Sequence, residues 1–155
     1  MKRVFTLYKG QIFSFDFLVA CSIFILILAI LINHVGYITM QLDELKEKHE
    51  LTRSGYKLSE IFFTEGYPKD WNASNVEIIG LQTNNRIDWN KLKEFENLGY
   101  QKSLILLGLK YDYNLTIGNY TFGKNPENAS SAFIVNRVGI LNSSIVPVQV
   151  VIFKI

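Results

Sequence analysis

The sequence predicts an α+β protein: a long N-terminal helix, transmembrane in its first half and amphipathic in its second, packed on a small, mainly antiparallel β-sheet head. Three observations predict it. Formal charge is absent from Phe17 to Leu42, and the apolar run Phe17–Ile32 is interrupted only by Cys21 and Ser22. No proline occurs before Pro68, and the stretch from Gln41 to Phe63 is rich in Leu, Glu and Lys, which favour helix. Beyond Pro68 the pattern changes to short apolar runs and alternations bounded by Gly and Asn, which reads as strands and turns.

The uncharged stretch, as helix, rises about 39 Å at ~1.5 Å per residue. That exceeds a hydrocarbon core of roughly 30 Å. Lys2, Arg3 and Lys9 lie before it with no acid among them. After it, Lys46 is the only base between Asn33 and Glu47, so the positive-inside bias places the N-terminus in the cytoplasm and the head outside. The whole chain holds 16 bases and 14 acids; without the first ten residues it holds 13 and 14. A charge so near zero gives no electrostatic case for nucleic acid, and none is expected as a partner. A content of 48% hydrophobic and 14% aromatic residues excludes a disordered tail. One cysteine excludes a disulfide framework.

A secretory signal needs small residues after its apolar core, and Asn33-His34-Val35-Gly36-Tyr37 is a poor site. Leu18-Val19-Ala20-Cys21 has the letters of a lipoprotein box, but here the apolar run follows the cysteine instead of preceding it. Cys21 therefore reads as a small hydrophobe. The order that remains is basic residues, Lys9-Gly10, then Gln11-Ile12-Phe13-Ser14-Phe15-Asp16, then the apolar run.

That order resembles an archaeal type IV prepilin with a class III signal peptide. The resemblance implies cleavage by a prepilin peptidase between Gly10 and Gln11, before an apolar segment that is retained as membrane anchor and filament core. Gln11, Ser14 and Asp16 match the family's glutamine, serine and acidic residue, with one more residue before the serine than in the common Q-x-S-x-E pattern. The resemblance further implies that Asp16 meets the terminal amine of a neighbouring subunit. The residue by itself also fits a headgroup-level acid at the positive end of the helix dipole, and both readings stay open. Implied partners are the peptidase, membrane lipid and copies of the chain or other pilins. The implied location is a single-pass membrane protein with an extracellular head, and then a cell-surface filament that could serve adhesion.

The expected organisation is a leader over 1–10, a long helix over 11–64 whose transmembrane part covers about 12–32, and a head over 65–155. Leu51, Leu58 and Phe62 share a helix face, with Leu42 and Leu45 about two turns earlier. Gly36 and Gly55 are the expected bends. Glu65-Gly66-Tyr67-Pro68 stops the helix. Val76–Gln82 reads as a strand, Trp89–Leu98 as a short helix capped by Asp88 and ended by Gly99, and Ser103–Leu107 as either. Tyr111–Ile117 pairs with Tyr120–Phe122 across Gly118-Asn119, and Ala132–Leu141 pairs with Ile145–Phe153 across Asn142-Ser143-Ser144. Pro147 suggests an edge position or a strand beginning. The run from Gly66-Tyr67-Pro68 through Trp71, Ile79-Gly80-Leu81, Lys91-Leu92, Tyr100 and Leu107-Gly108-Leu109 is also similar to archaeal pilin-like heads, more loosely than the leader is.

Five Asn-x-Ser/Thr sequons, at Asn72, Asn114, Asn119, Asn128 and Asn142, follow the span on its outer side, against about 1.4 expected by chance. They are glycosylation candidates, of which Asn114, inside an expected strand, is the weakest. No catalytic residue is expected and the chain does not read as an enzyme: there is no G-x-S-x-G, no phosphate loop and no nucleophile–base pair at a recognisable spacing. His34 and His49 lack partners at ligand spacing, so neither a metal site nor another cofactor is expected. Asp70, Asp88 and Asp112 are candidate calcium ligands or solvated loop acids, the second reading being favoured. Trp71, Trp89 and the tyrosines read as core or as an adhesive surface, the first again favoured.

Overall fold

A computed structural model describes the backbone from Phe5 to Ile155 and the side chains from Phe15 onward. The first helix, α1, spans Phe5–Phe62. Two compact units divide the chain, one ending at Lys46 and the other formed by Glu47–Ile155.

In the first unit α1 is long and apolar enough to cross a membrane by length and composition. From Phe15 to Met40 its large apolar side chains are exposed all round, as in a helix meant for an apolar solvent and not for one buried face. Three of its polar side chains turn back on the helix. The Ser22 hydroxyl donates to Leu18 O at 2.8 Å, the Asn33 amide to Ala29 O at 2.9 Å and the Thr39 hydroxyl to Val35 O at 2.9 Å. Such bonds satisfy polar groups where water is absent.

The second unit is built on the last four turns of α1. Leu51, Leu58 and Phe62 are buried there on one face, as their spacing predicts. Leu42 and Leu45 are exposed and do not extend that face. Nor does Gly55 break the helix. It is the place where the Phe133 ring packs close to the backbone, and a Cβ there would lie 2.6 Å from Phe133 Cδ1. Gly36 has open space around it, and α1 runs through it too.

After α1 come β1 (Gln82–Thr83), β2 (Arg86–Ile87), α2 (Trp89–Leu98), α3 (Tyr100–Leu106), β3 (Asp112–Ile117), β4 (Tyr120–Gly123), β5 (Ser131–Leu141) and β6 (Ser144–Lys154). The six strands form one sheet in the order β1-β2-β5-β6-β3-β4. All pairs are antiparallel except β2 with β5, which meet in parallel at Ile87 and Leu141. Tyr113, Leu115 and Ile117 of β3 and Val148, Val150 and Ile152 of β6 alternate onto one face, where the end of α1 and the apolar side of α2 cover them. Phe62 and Phe95 meet edge to face at 5.5 Å in this core. On the opposite face Val151 and Phe153 are buried as well. The β4–β5 connection crosses that end, where the Asn114 amide donates to Lys124 O at 3.0 Å and Lys124 pairs with Asp112 at 3.2 Å.

Local chemistry explains the helix that the sequence placed correctly. The Asp88 carboxylate accepts from Asn90 N–H at 2.8 Å and starts α2, and Gly99, at φ 76°, ends it. Ser103–Leu107 belongs to helix, in α3 and its cap. The hairpins follow from their turns. Asn142 and Ser143, at φ 50° and 64°, join β5 to β6, and Gly118, at φ 56°, opens the turn from β3 to β4.

Two further expectations are corrected. Val76–Gln82 is not a regular strand. Its backbone groups are taken elsewhere: Val76 N–H by Asn72 O in a turn, Ile78 N–H by Tyr67 O, Leu81 N–H by Phe62 O and Gln82 N–H by Thr64 O. The segment thus closes the C-terminal end of α1, whose last carbonyls need donors, and only Gln82–Thr83 joins the sheet. Pro147 does not lie on an edge, for β6 is an inner strand. Its carbonyl accepts from Gly118 N–H at 2.9 Å, so its ring nitrogen faces the same side, beyond the point where β3 ends at Ile117. The missing N–H removes no ladder bond.

Candidate functional site

The processing residues Gly10 and Gln11, with Ser14, lie outside the residues whose side chains are described. Asp16 is exposed near the start of the apolar stretch and has no ion-pair partner among the described residues. Cys21 is a free thiol, partly covered.

The five sequons fall into two groups. Asn72, Asn119, Asn128 and Asn142 are exposed in loops or turns. Asn72 Oδ1 accepts from Ser74 N–H at 2.9 Å and Asn75 N–H at 3.2 Å, which makes an Asx turn and leaves the amide nitrogen outward. Asn119 and Asn142 sit in two-residue hairpin turns. Asn114 is buried in β3, and its amide nitrogen is engaged with Lys124 O, so it offers no accessible amide. Its strand position warned of this, because a side chain beneath a crossing loop has no path to solvent.

The aromatic residues divide in a similar way. Trp71 is core, its indole N–H donating to Gly80 O at 2.8 Å. Trp89 is half-buried; it meets the exposed Tyr120 at 4.8 Å between ring centroids and lies beneath the Lys93 ammonium at 5.6 Å. The groove beside this pair encloses about 270 Å³ and is too open to hold a ligand by enclosure.

Asp70 and Asp88, separated in sequence, line one groove with Glu94. Their oxygens are partly committed, Asp88 as helix cap and Glu94 to Ala73 N–H at 2.9 Å. Asp112 is elsewhere, accepting from the Tyr100 hydroxyl and pairing with Lys124. Burial and that carboxylate together push the Tyr100 phenol far up from its ordinary value, so it remains a neutral donor. No group of three or more potential metal ligands exists among the described residues.

One feature had no sequence signal. Lys91 is buried, and its ammonium donates to Glu65 O at 2.6 Å and Gln82 O at 2.8 Å. Burial pushes the amine down from the usual lysine value, with Asp88 and Glu65 opposing. Its contacts are structural: it ties the loop after α1 to α2.

Glu50 on α1 is held by the head. Its carboxylate accepts from the Tyr111 hydroxyl at 3.0 Å and pairs with Lys110 at 3.3 Å. The Tyr111 hydrogen bond, and then Lys110, hold the carboxyl below the ordinary glutamate value of 4.5. A depressed carboxyl favours the fold above its unfolded value, and this contribution is lost as pH falls through the folded one. Tyr111→Phe is expected to bring the Glu50 titration back toward 4.5, read from its side-chain carbon shift by NMR. An unmoved midpoint would show that the hydroxyl is not the main cause.

Compared with known proteins, the chain matches no family model, no curated protein and no solved structure. The functional reading rests on its own residues.

Proposed function

We propose that this chain is a type IV pilin-like structural subunit. A prepilin peptidase cuts it between Gly10 and Gln11, and the N-terminal helix then carries it from the membrane into a cell-surface filament. The observation that carries the reading is the order of parts: a basic leader ending in Gly10-Gln11, an apolar span in which Ser22, Asn33 and Thr39 bond back to the helix, and a helix end built into a small α+β head. The proposed mechanism is polymerisation, not chemistry. Helices of many copies exchange lipid for one another, burying Ile12–Ile32 in a common core, and their heads coat the outside. Exchange of one apolar solvent for another gives little net hydrophobic gain, so packing and the Asp16 contact would supply the specificity.

The exposed sequons Asn72, Asn119, Asn128 and Asn142 are the proposed glycosylation positions, and Asn114 is omitted because it is buried. Mass mapping of the native protein tests both statements. A mature N-terminus at Gln11 is expected, with hexose-bearing peptides at one or more of the four exposed sites and none at Asn114. An intact Met1, or a start beyond Ile32, would sink the pilin reading. Electron microscopy of sheared surface material then separates a filament subunit from a membrane-anchored minor pilin or a surface binding module, which would share the cleavage but form no fibres.

A further inference from the structure

We propose that the cleft between α2 and the free edge of β4 binds an extended polypeptide segment, which adds to the sheet antiparallel to β4 and carries a basic residue two positions before an aromatic one. The inference starts from backbone geometry. β4 is the last strand of the sheet. The two-residue turn at Gly118-Asn119 makes Ile117 and Tyr120 a hydrogen-bonded pair, so Tyr120 and Phe122 direct their N–H and C=O groups at β3. Lys124 N–H, which reaches Tyr113 O at 2.9 Å, continues the same alternation. Thr121 therefore directs its groups outward, and among the described residues nothing pairs with them. Shortness guards this edge against long strands. It still offers the closed pair of bonds that Thr121 can make with one facing residue.

The helix beside this edge supplies a wall. α2 runs in the same direction as β4: Trp89 meets Tyr120 at 4.8 Å between ring centroids, and further along Phe95 meets Phe122 at 5.8 Å. Two hollows open along the seam. One encloses about 270 Å³ beside Trp89, Leu92 and Tyr120, the other about 180 Å³ beside Tyr100, Tyr113 and Gly123. Glu96, Thr121 and Phe122 line both, so the hollows follow one another along the strand. Neither holds a free molecule by enclosure, but a chain bonded to Thr121 needs none: main-chain bonds supply affinity and the hollows select side chains.

The occupant follows from complementarity. The added residue that faces Thr121 turns its side chain to the outer side of the sheet, as Thr121 does. Its two neighbours, facing Phe122 and Tyr120, turn theirs to the α2 side, where the hollows are. The neighbour facing Phe122 comes first along the added chain and lies beside Glu96 and Tyr100. Glu96 is exposed and makes no ion pair among the described residues. A lysine or arginine there gains both a carboxylate and aromatic rings. The neighbour facing Tyr120 meets Trp89 and Leu92, which suit a flat apolar side chain. Lys93, already over the Trp89 ring at 5.6 Å, disfavours a second cation at that end. Binding at this cleft needs neither leader cleavage nor filament formation, so it stands or falls separately from the pilin reading.

The test uses the full chain in detergent micelles, with Asn119→Gln as background so that no glycan stands beside the cleft. The probe is a capped pentapeptide, Thr-Lys-Thr-Phe-Thr, titrated by NMR. Saturable binding with a Kd on the order of 1 mM is expected, with the Thr121 amide shifting and gaining protection from solvent exchange. The same peptide N-methylated at its central residue should not bind, because it lacks the N–H that meets Thr121 O. Thr121→Pro should abolish binding with the near-UV signal of the core unchanged, since that N–H serves no bond in the free sheet. If this variant fails to fold, the N-methylated peptide still decides the matter. Glu96→Gln should weaken the lysine peptide about fivefold and leave a norleucine analogue unaffected. No saturable shift at Thr121, equal binding of the N-methylated peptide, indifference of a folded Thr121→Pro, an equal effect of Glu96→Gln on both peptides, or a response centred on β5 would each overturn the proposal.

Discussion

Replacing Gly80 with alanine is expected to destabilise the head by about 3 kcal/mol or more, the upper end of the range for forced overpacking. Gly80 is where the loop after α1 passes against the helix end. An added Cβ would overlap Gly66 N and lie 2.6 Å from Thr64 O and 2.7 Å from Glu65 C. These are backbone atoms and cannot swing aside. They are also fixed in place by neighbours, because Gly66, at φ 73°, already lies where a side chain would strike Ile78 O and the Trp71 indole nitrogen. Moving either strand of this contact would strain the Trp71–Gly80 bond and the Gln82–Thr64 bond together. Gly55→Ala is the comparison. Its Cβ would meet only the Phe133 ring, at 2.6 Å, and a ring can rotate or shift. Chemical denaturation of the two variants, with the slope held constant, measures the difference. Equal costs would show that the backbone crossing yields as readily as a side chain does.

Gly10→Val is expected to stop maturation altogether. On the proposed reading the peptidase accepts the residue before Gln11 only where no side chain intrudes. The variant should then accumulate in the membrane at full length, some ten residues longer than the mature chain. No filaments should be shed, because an uncut leader keeps Lys2, Arg3 and Lys9 attached to the helix that must enter an apolar core. Comparing the masses of the wild-type and variant proteins, together with microscopy of shed material, reads the result. Head stability should be unchanged, as the substitution lies outside the compact unit that starts at Glu47. A variant that is still cut at Gln11 and still assembles would remove the leader from the mechanism.

The parts legible in the sequence were those set by local chemistry. Asp88 capping α2, Gly99 ending it, and the Asn142 turn joining β5 and β6 each depend on a few neighbouring residues, and each stands where the pattern placed it. Val76–Gln82 was misread for the converse reason. Val76, Ile79 and Leu81 are buried, yet the segment's N–H groups serve the carbonyls at the end of α1, and that depends on a partner more than ten residues away. Burial of Lys91 left no mark in the sequence, because it is decided by two carbonyls, of Glu65 and Gln82, that the helix pattern does not contain. The sequon at Asn114 is a string of letters until a crossing loop covers it.

By itself, then, the sequence determined the apolar span, the basic leader with Gly10-Gln11, the α+β class and the turns, because charge, hydropathy and φ preference act over a few residues. Only the tertiary structure decided which four sequons are exposed, how the helix end is closed, and that β4 keeps a free edge beside α2. Those depend on strand order and on which distant backbone groups meet. A strand in the middle of a sheet and a strand at its edge can be written in the same residues.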